Sequence, residues 1–190
     1  MKKIMMMAAM SLICIAASAQ TPKFAHVNFT EIVQLMPEMD EARKASDTAA
    51  NEAQETYQAM VVEFQNKYQQ YEQKQASWTP AVRESKEKEL SEIQNRIQEF
   101  QQAIQQELQQ QQQQLMAPIY KKASEAVAAI AKAHGFIYVY DMQSVLYVDP
   151  AQSVDITKEA RTALNIPEDR TLEGLQAELQ AQAAQAQQGM

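Results

Sequence analysis

Residues that commonly do covalent or metal chemistry are sparse and scattered in this 190-residue chain. The two histidines, His26 and His134, stand far apart. Neither has cysteine, histidine or carboxylate neighbours at the spacing of a metal site. Cys14 is the one cysteine, and it falls inside an apolar leader, which leaves the remainder without a thiol. No G-x-S-x-G elbow is present to present a nucleophilic serine. Gly135, Gly174 and Gly189 are the only glycines, too dispersed for a phosphate-cradling loop. The carboxylates are spread as solvated helix faces do. These observations predict no enzyme, no cofactor and no metal. What the residue types do offer is contact chemistry. Tyr57, Phe64, Tyr71 and Trp78 recur every seven residues, with Met60, Val61 and Tyr68 between them. Such a stripe closes a seam between helices, or grips the apolar surface of another chain where it stays open. Tyr57, Phe64 and Tyr71 fit the seam best. Trp78 fits either role, and Met60, Phe64, Tyr68, Tyr71 and Trp78 are the candidate contact residues.

A stripe of that period needs a long helix. From Glu38 to about Ala76 nothing breaks one, which makes an arm of roughly 58 Å at about 1.5 Å per residue. Ser77-Trp78-Thr79-Pro80 ends it. Thr79 as N-cap with Pro80 in the first helical position restarts a second helix. Its apolar side is Leu90, Ile93, Ile97, Phe100 and Ile104, continued with a slip in phase by Leu108 and Leu115. The glutamine run Gln109 to Gln114 lies between those leucines and reads as a solvated helix surface. Two such helices with a tight turn form an antiparallel hairpin.

The flanks read differently. Phe24 to Phe29 alternates as a short strand, after which Thr30 is placed to cap a helix from Glu31. Pro37 kinks or restarts that helix, and Pro118 interrupts the second arm helix. Both sit on the body side of the arms and are the candidate joints. Helix resumes to His134, whose partial positive charge complements the helix end, and Gly135 supplies a left-handed cap. Phe136 to Tyr140 and Val145 to Val148, with a turn between, predict a strand pair. Asp155 caps a last helix to about Leu164. Beyond Pro167 the Gln- and Ala-rich segment, with Leu172, Leu175 and Leu179 as anchors, is open between weak helix and disorder.

The leader sets the compartment. Lys2 and Lys3 precede the apolar run Ile4 to Ala16, and Ala17-Ser18-Ala19 offers a signal-peptidase site before Gln20. The mature chain is thereby expected in the periplasm, without ATP. Lys2 and Lys3 leave with the leader, so 15 basic residues face 24 acidic ones, a net charge of −9. That balance argues against nucleic acid and against an anionic membrane surface.

Strand, very long helical hairpin, two strands and a short helix behind a leader is an order that resembles the Skp (OmpH-like) family. Phe24-Ala25-His26-Val27-Asn28 is similar to the family's opening strand. Gly135 to Asp141 with Ser144 to Tyr147 resembles its closing strands, and Asp155-Ile156-Thr157 the start of its final helix. The resemblance spans about residues 22 to 165. It implies an α+β, mostly α fold with a coiled-coil arm on a small β body that assembles across a homotrimer. It divides the chain into a leader (1–19), a body (20–36 and 118–165), a tentacle (37–117) and a tail (166–190). Phe24, Val27, Phe136, Tyr138, Tyr140, Val145 and Tyr147 would build the trimer body. The implied function is an ATP-independent holdase for unfolded outer-membrane proteins, without stable membrane insertion. An envelope adaptor that uses the hairpin to bind one folded partner needs the same elements and is the rival expectation. One departure stands out. Family members known for basic arms grip acidic clients and lipopolysaccharide, whereas here Glu38 to Leu115 holds 14 acidic and 8 basic residues, net −6.

Overall fold

A computed structural model describes residues 23–188, so the leader and its cleavage point lie outside the described residues. Strand β1 (Phe24–Val27) leads directly into helix α1 (Phe29–Leu35). The cap is Asn28, not Thr30: its Oδ1 accepts the Glu31 N–H at 3.1 Å, and its Nδ2 donates to the Glu31 carboxylate at 3.0 Å. The cap satisfies the Glu31 N–H and starts the helix at Phe29, two residues before the expected start, which places Thr30 inside the helix. Met36 is extended (φ −62°, ψ 140°), and Pro37 opens helix α2 (Pro37–Lys74). The restart at Pro37 is as the sequence predicts.

A 3-10 turn (Gln75–Ser77) reverses the chain, and the Thr79 hydroxyl caps helix α3 (Pro80–His134) by accepting the Val82 N–H. Helix α3 has 55 residues and runs through Pro118 without a break. The expected interruption is absent because Pro118 faces solvent, while Ile119 and Ala123 beyond it are buried in the core and Leu115 before it packs against that core. The lost N–H bond is outweighed by anchoring on both sides. Gly135 ends α3 at φ +69°, the left-handed cap that only glycine takes without strain. At about 1.5 Å per residue, α2 is about 57 Å long and α3 about 82 Å, so the root of α3 extends past α2 into the body.

There strand β2 (Tyr138–Asp141) and strand β3 (Ser153–Asp155) flank β1, both parallel to it, in the order β2-β1-β3. Phe24 lies opposite Tyr138 on one side and Ser153 on the other. The predicted pairing of 136–140 with 145–148 does not form. Parallel partners need a crossover, and the β1-to-β2 crossover is the entire hairpin. After β2 the Asp141 carboxylate accepts the Gln143 N–H at 3.2 Å, folding Met142–Ser144 into a 3-10 turn and sending the chain away from β2. Val145 and Tyr147 therefore lie in a connection, not a strand. An Asp149 turn, with its Oδ1 accepting the Ala151 N–H at 2.9 Å, brings the chain back to the far side of β1. Asp155, expected to cap the last helix, belongs to β3. It still accepts the Thr157 N–H at 2.8 Å as helix α4 (Thr157–Ala163) begins.

The core is small and sits at the arm's root. Ala25, Val27, Ile32, Leu35, Met36, Ala123, Ile130, Ile156 and Leu164 bury against one another where β1, α1, α3 and α4 meet. The tail joins it. Arg161 donates to the carbonyls of Pro167 (2.9 Å) and Arg170 (2.5 Å) and to Glu31 (2.9 Å), holding the connection after α4. Arg170 reaches Asp40 at 2.6 Å. Helix α5 (Leu172–Gln188) then docks through Leu175, buried in the same core. The segment left open between helix and disorder is a helix, anchored by its second leucine.

Candidate functional site

Helices α2 and α3 meet through pairs whose numbers rise on one helix as they fall on the other: Glu38 with Lys122, Glu63 with Arg96 (2.6 Å), Lys67 with Glu89, and Tyr71 with Glu87 (2.5 Å). This is the antiparallel register of a hairpin. Its distal half is tied by charge. Glu89 receives both Lys67 and Lys86, the latter at 2.8 Å. Their donated hydrogen bonds hold its carboxyl at a pKa of about 2. The hydrogen bond from Tyr71 to Glu87 raises the phenol above its ordinary pKa, since the bond is lost when the phenol ionises.

The aromatic stripe splits along this hairpin. Tyr57, Met60, Phe64, Tyr71 and Trp78 are half-buried, and Tyr68 is exposed. Trp78 does not stand bare at the tip: Tyr71 meets it edge to face at 5.9 Å. Phe64 and Tyr68 stack at 6.0 Å. Ile93 is the one deeply buried residue of the distal seam among those described. The stripe thus does part of both jobs. It holds two helices together along one edge and leaves the other edge in water.

The body carries a second apolar surface. Phe24 stacks on Tyr138 at 6.4 Å, and Tyr138 lies 5.9 Å from Tyr140, so these three share one sheet face. Tyr138 and Tyr140 are exposed, as is Tyr147; Leu146 is wholly so. The other candidates of the body behave differently. Val27 is buried in the chain's own core, Phe136 is half-buried beside His134 (5.5 Å), and Val145 is half-buried in the connection. His26, also buried, ties β1 to β3: its Nδ1 is 2.8 Å from the Ser153 hydroxyl, and its Nε2 is 3.9 Å from Asp155. His134 pairs with Glu159 at 3.0 Å. Among the described residues no three His, Asp or Glu side chains form a metal-holding group, and no helix is long and apolar enough to cross a membrane.

Two features escape a reading by periodicity. Tyr120, exposed on α3, packs on Phe29 at 6.1 Å at the arm's root. Midway along the arm, α2 places Ala49 and Ala53 opposite Phe100, Ile104 and Leu108 of α3, and clefts of about 510 and 420 Å³ open there. The signal was present as alanines where a heptad seam calls for large residues.

Comparison with known proteins matches this architecture. A chaperone protein Skp of Yersinia enterocolitica is 25% identical over 164 residues, covering 85% of this chain and the whole of the relative. The solved structure of an OmpH-like outer membrane chaperone from Caulobacter crescentus superposes with a TM-score of 0.66 at 17% identity, over 81% of this chain and 93% of the other, a likeness of fold. The family model for outer membrane protein (OmpH-like) matches residues 23–164. That stretch holds the sheet, the full hairpin and the helix after β3, and the chain belongs to the OmpH-like (Skp) family, a family of chaperones.

Proposed function

We propose that the mature protein is a periplasmic, ATP-independent holdase that binds unfolded outer-membrane proteins and keeps them from aggregating. The observation that carries this reading is the half-wetted seam: a long hairpin whose apolar stripe is neither buried nor hidden, hung from a small body. Unfolded barrel strands present alternating apolar residues and unpaired edges, which associate with each other unless something covers them. A long, narrow, partly apolar surface covers such segments without demanding one sequence. The phenol of Tyr68 and the indole of Trp78 give it amphipathic contacts with a polar handle, with Tyr71 packed edge to face beside Trp78.

The body supports assembly as a homotrimer. Three strands of three or four residues make a marginal sheet with open outer edges on β2 and β3. Tyr138 and Tyr140 stand exposed together on the sheet face, and Leu146 and Tyr147 stand exposed in the connection after β2, apolar surface that assembly would cover. Phe24 lies on the same face, Val27 is buried in the core, and Phe136 and Val145, both half-buried, belong to the same body in this reading. In this reading residues 20–36 and 118–165 form the body, 37–117 the client-holding arm and 166–190 a tail braced on the arm's root.

The test is light scattering after dilution of a urea-unfolded outer-membrane barrel, with and without the mature chain, in the absence of nucleotide. Suppression near one trimer per client is the expected result. Unchanged scattering over a wide excess overturns the holdase reading and points to an adaptor with a folded partner.

A further inference from the structure

The arm's charges are not evenly laid out. Near the tip, Lys67, Lys86 and Arg96 are each paired with a carboxylate, and at the root Arg43 and Lys122 are too. The middle is different. Residues 45–62 of α2 and 97–116 of α3 contain Asp47, Glu52, Glu55, Glu99 and Glu107 and not one lysine or arginine. This is the same stretch in which alanines thin the seam. Two clefts flank it, of about 510 and 420 Å³, sharing Ala53, Phe100, Ile104 and Leu108 as a common floor. These side chains are half-buried, so apolar surface is reachable from both sides of the arm. Glu52 and Glu107 rim the larger cleft, with Gln111 and Gln114 completing its polar wall.

We propose that these mid-arm clefts are where the arm holds its clients, and that they select segments of unfolded chain in which apolar side chains are flanked by lysine or arginine. The proposal rests on the holdase reading and deepens it by naming the surface and the class of segment. Each cleft admits side chains against a ready apolar floor without prising the helices apart. The carboxylates at the rim have no cation of their own on the arm's middle, so a cation on the client meets an unspent partner, whereas an acidic client meets repulsion. The contact lies at the surface, so it is expected to weaken with salt.

The probe is a short labelled peptide of leucine, serine and lysine, with a twin carrying glutamate for lysine, followed by fluorescence anisotropy against the full mature chain. The lysine peptide is expected to bind, more weakly at high salt, and the glutamate twin to fail. Glu52→Gln with Glu107→Gln weakens binding by about fivefold, the size of two exposed charge contacts. Glu72→Gln with Glu84→Gln makes the same charge change nearer the tip and leaves binding as it was. Ala53→Leu fills the shared floor and abolishes binding. Should Ala53→Leu disturb the fold, as a thermal melt would reveal, the two carboxylate pairs still decide the matter. Equal binding of both peptides overturns the proposal, as do equal effects of the two double variants, which would mean a diffuse field. Wild-type protein that suppresses barrel aggregation yet ignores the lysine peptide overturns the cleft assignment alone. Wild-type protein that suppresses nothing overturns the holdase reading beneath it.

Discussion

Leu175 decides whether the C-terminal helix belongs to the body. Helix α5 is 17 residues long, and a helix in a protein draws most of its stability from packing its apolar face rather than from its own propensity. Its start is capped by the Thr171 hydroxyl, which accepts the Gly174 N–H at 3.1 Å. Leu172 is half-buried and Leu179 is 40% exposed, so Leu175, at 6%, is the main apolar anchor. Leu175→Ala removes that anchor. Buried leucine-to-alanine changes cost about 2 to 5 kcal/mol, and a site at the edge of a small core belongs at the low end. A loss of about 2 kcal/mol is about thirtyfold in the docking equilibrium. The damage should stop at Thr171, because Arg161 holds the Pro167 and Arg170 carbonyls and Arg170 holds Asp40 independently of Leu175. Amide hydrogen exchange separates these expectations. Protection of residues 176–185 falls about thirtyfold, while residues 32–35 and 123–130 keep theirs. Equal loss in all three segments would mean that α5 is part of the cooperative core, and free exchange of α5 in the wild type would mean that it does not dock. Either result refutes the reasoning.

Three further outcomes are expected. Gly135→Ala should destabilise the protein by about 1 kcal/mol in urea unfolding, because its φ of +69° strains a Cβ although nothing lies within 4 Å to clash with one; Gly135→Asn should cost less. The Glu89 carboxyl is held at about 2, below the ordinary carboxylate value of 4.5, by Lys67 and Lys86. A depressed acid adds stability above its unfolded pKa and loses it as pH falls through the folded one, so the arm tip should loosen between about pH 4.5 and pH 2. In Glu89→Gln that acid-dependent rise in exchange at residues 63–71 disappears, and persistence of the full effect would assign it to other carboxylates. Pro118→Ala should raise the melting temperature, by up to the equivalent of about 3 kcal/mol, since it restores a helix N–H. Spin-label distances from root to tip should stay the same, because α3 is already continuous; a changed distribution would restore Pro118 as a joint.

The parts that sequence makes legible are those decided locally. Thr79-Pro80, Pro37 and Gly135 act on their own backbone neighbours, and each starts or ends a helix where its chemistry demands. The seven-residue aromatic recurrence marks a hairpin for the same reason. What misleads is decided by partners far off in the chain. The runs 136–140 and 145–148 have strand composition, but composition does not say which strand pairs with which. The partner of Tyr138 is Phe24, on the far side of the whole arm. Pro118 would break a helix left to itself, yet packing at Ile119 and Ala123 keeps this one whole. Asn28 is the cap in place of Thr30, with its own N–H held by the Thr157 hydroxyl at 3.0 Å, a partner that no local pattern shows. The connection into the tail is held by Asp40 receiving Arg170, a contact across 130 positions. For the candidate site, the aromatics were legible and the clefts were not, since a cleft is a shortage of side chain on two helices at once.

The distribution of burial has a mechanical consequence. Fully buried apolar residues crowd the root, with Ile32, Leu35, Met36, Ala123, Ile156 and Leu164 at or below 2% exposure. Between Ala42 and Ile119 only Ile93 is buried among the described residues. Opening free energy follows buried apolar contact, so the root sets the global stability while the arm opens at much lower cost. The ion pairs near the tip add little individually in water, but they fix the register to which a parted hairpin returns. Such an arm can loosen locally and close again while the body stays folded. A tightly packed coiled coil would have to give up that freedom, which is the physical reason for alanines and glutamines where leucines would have made a stronger helix pair.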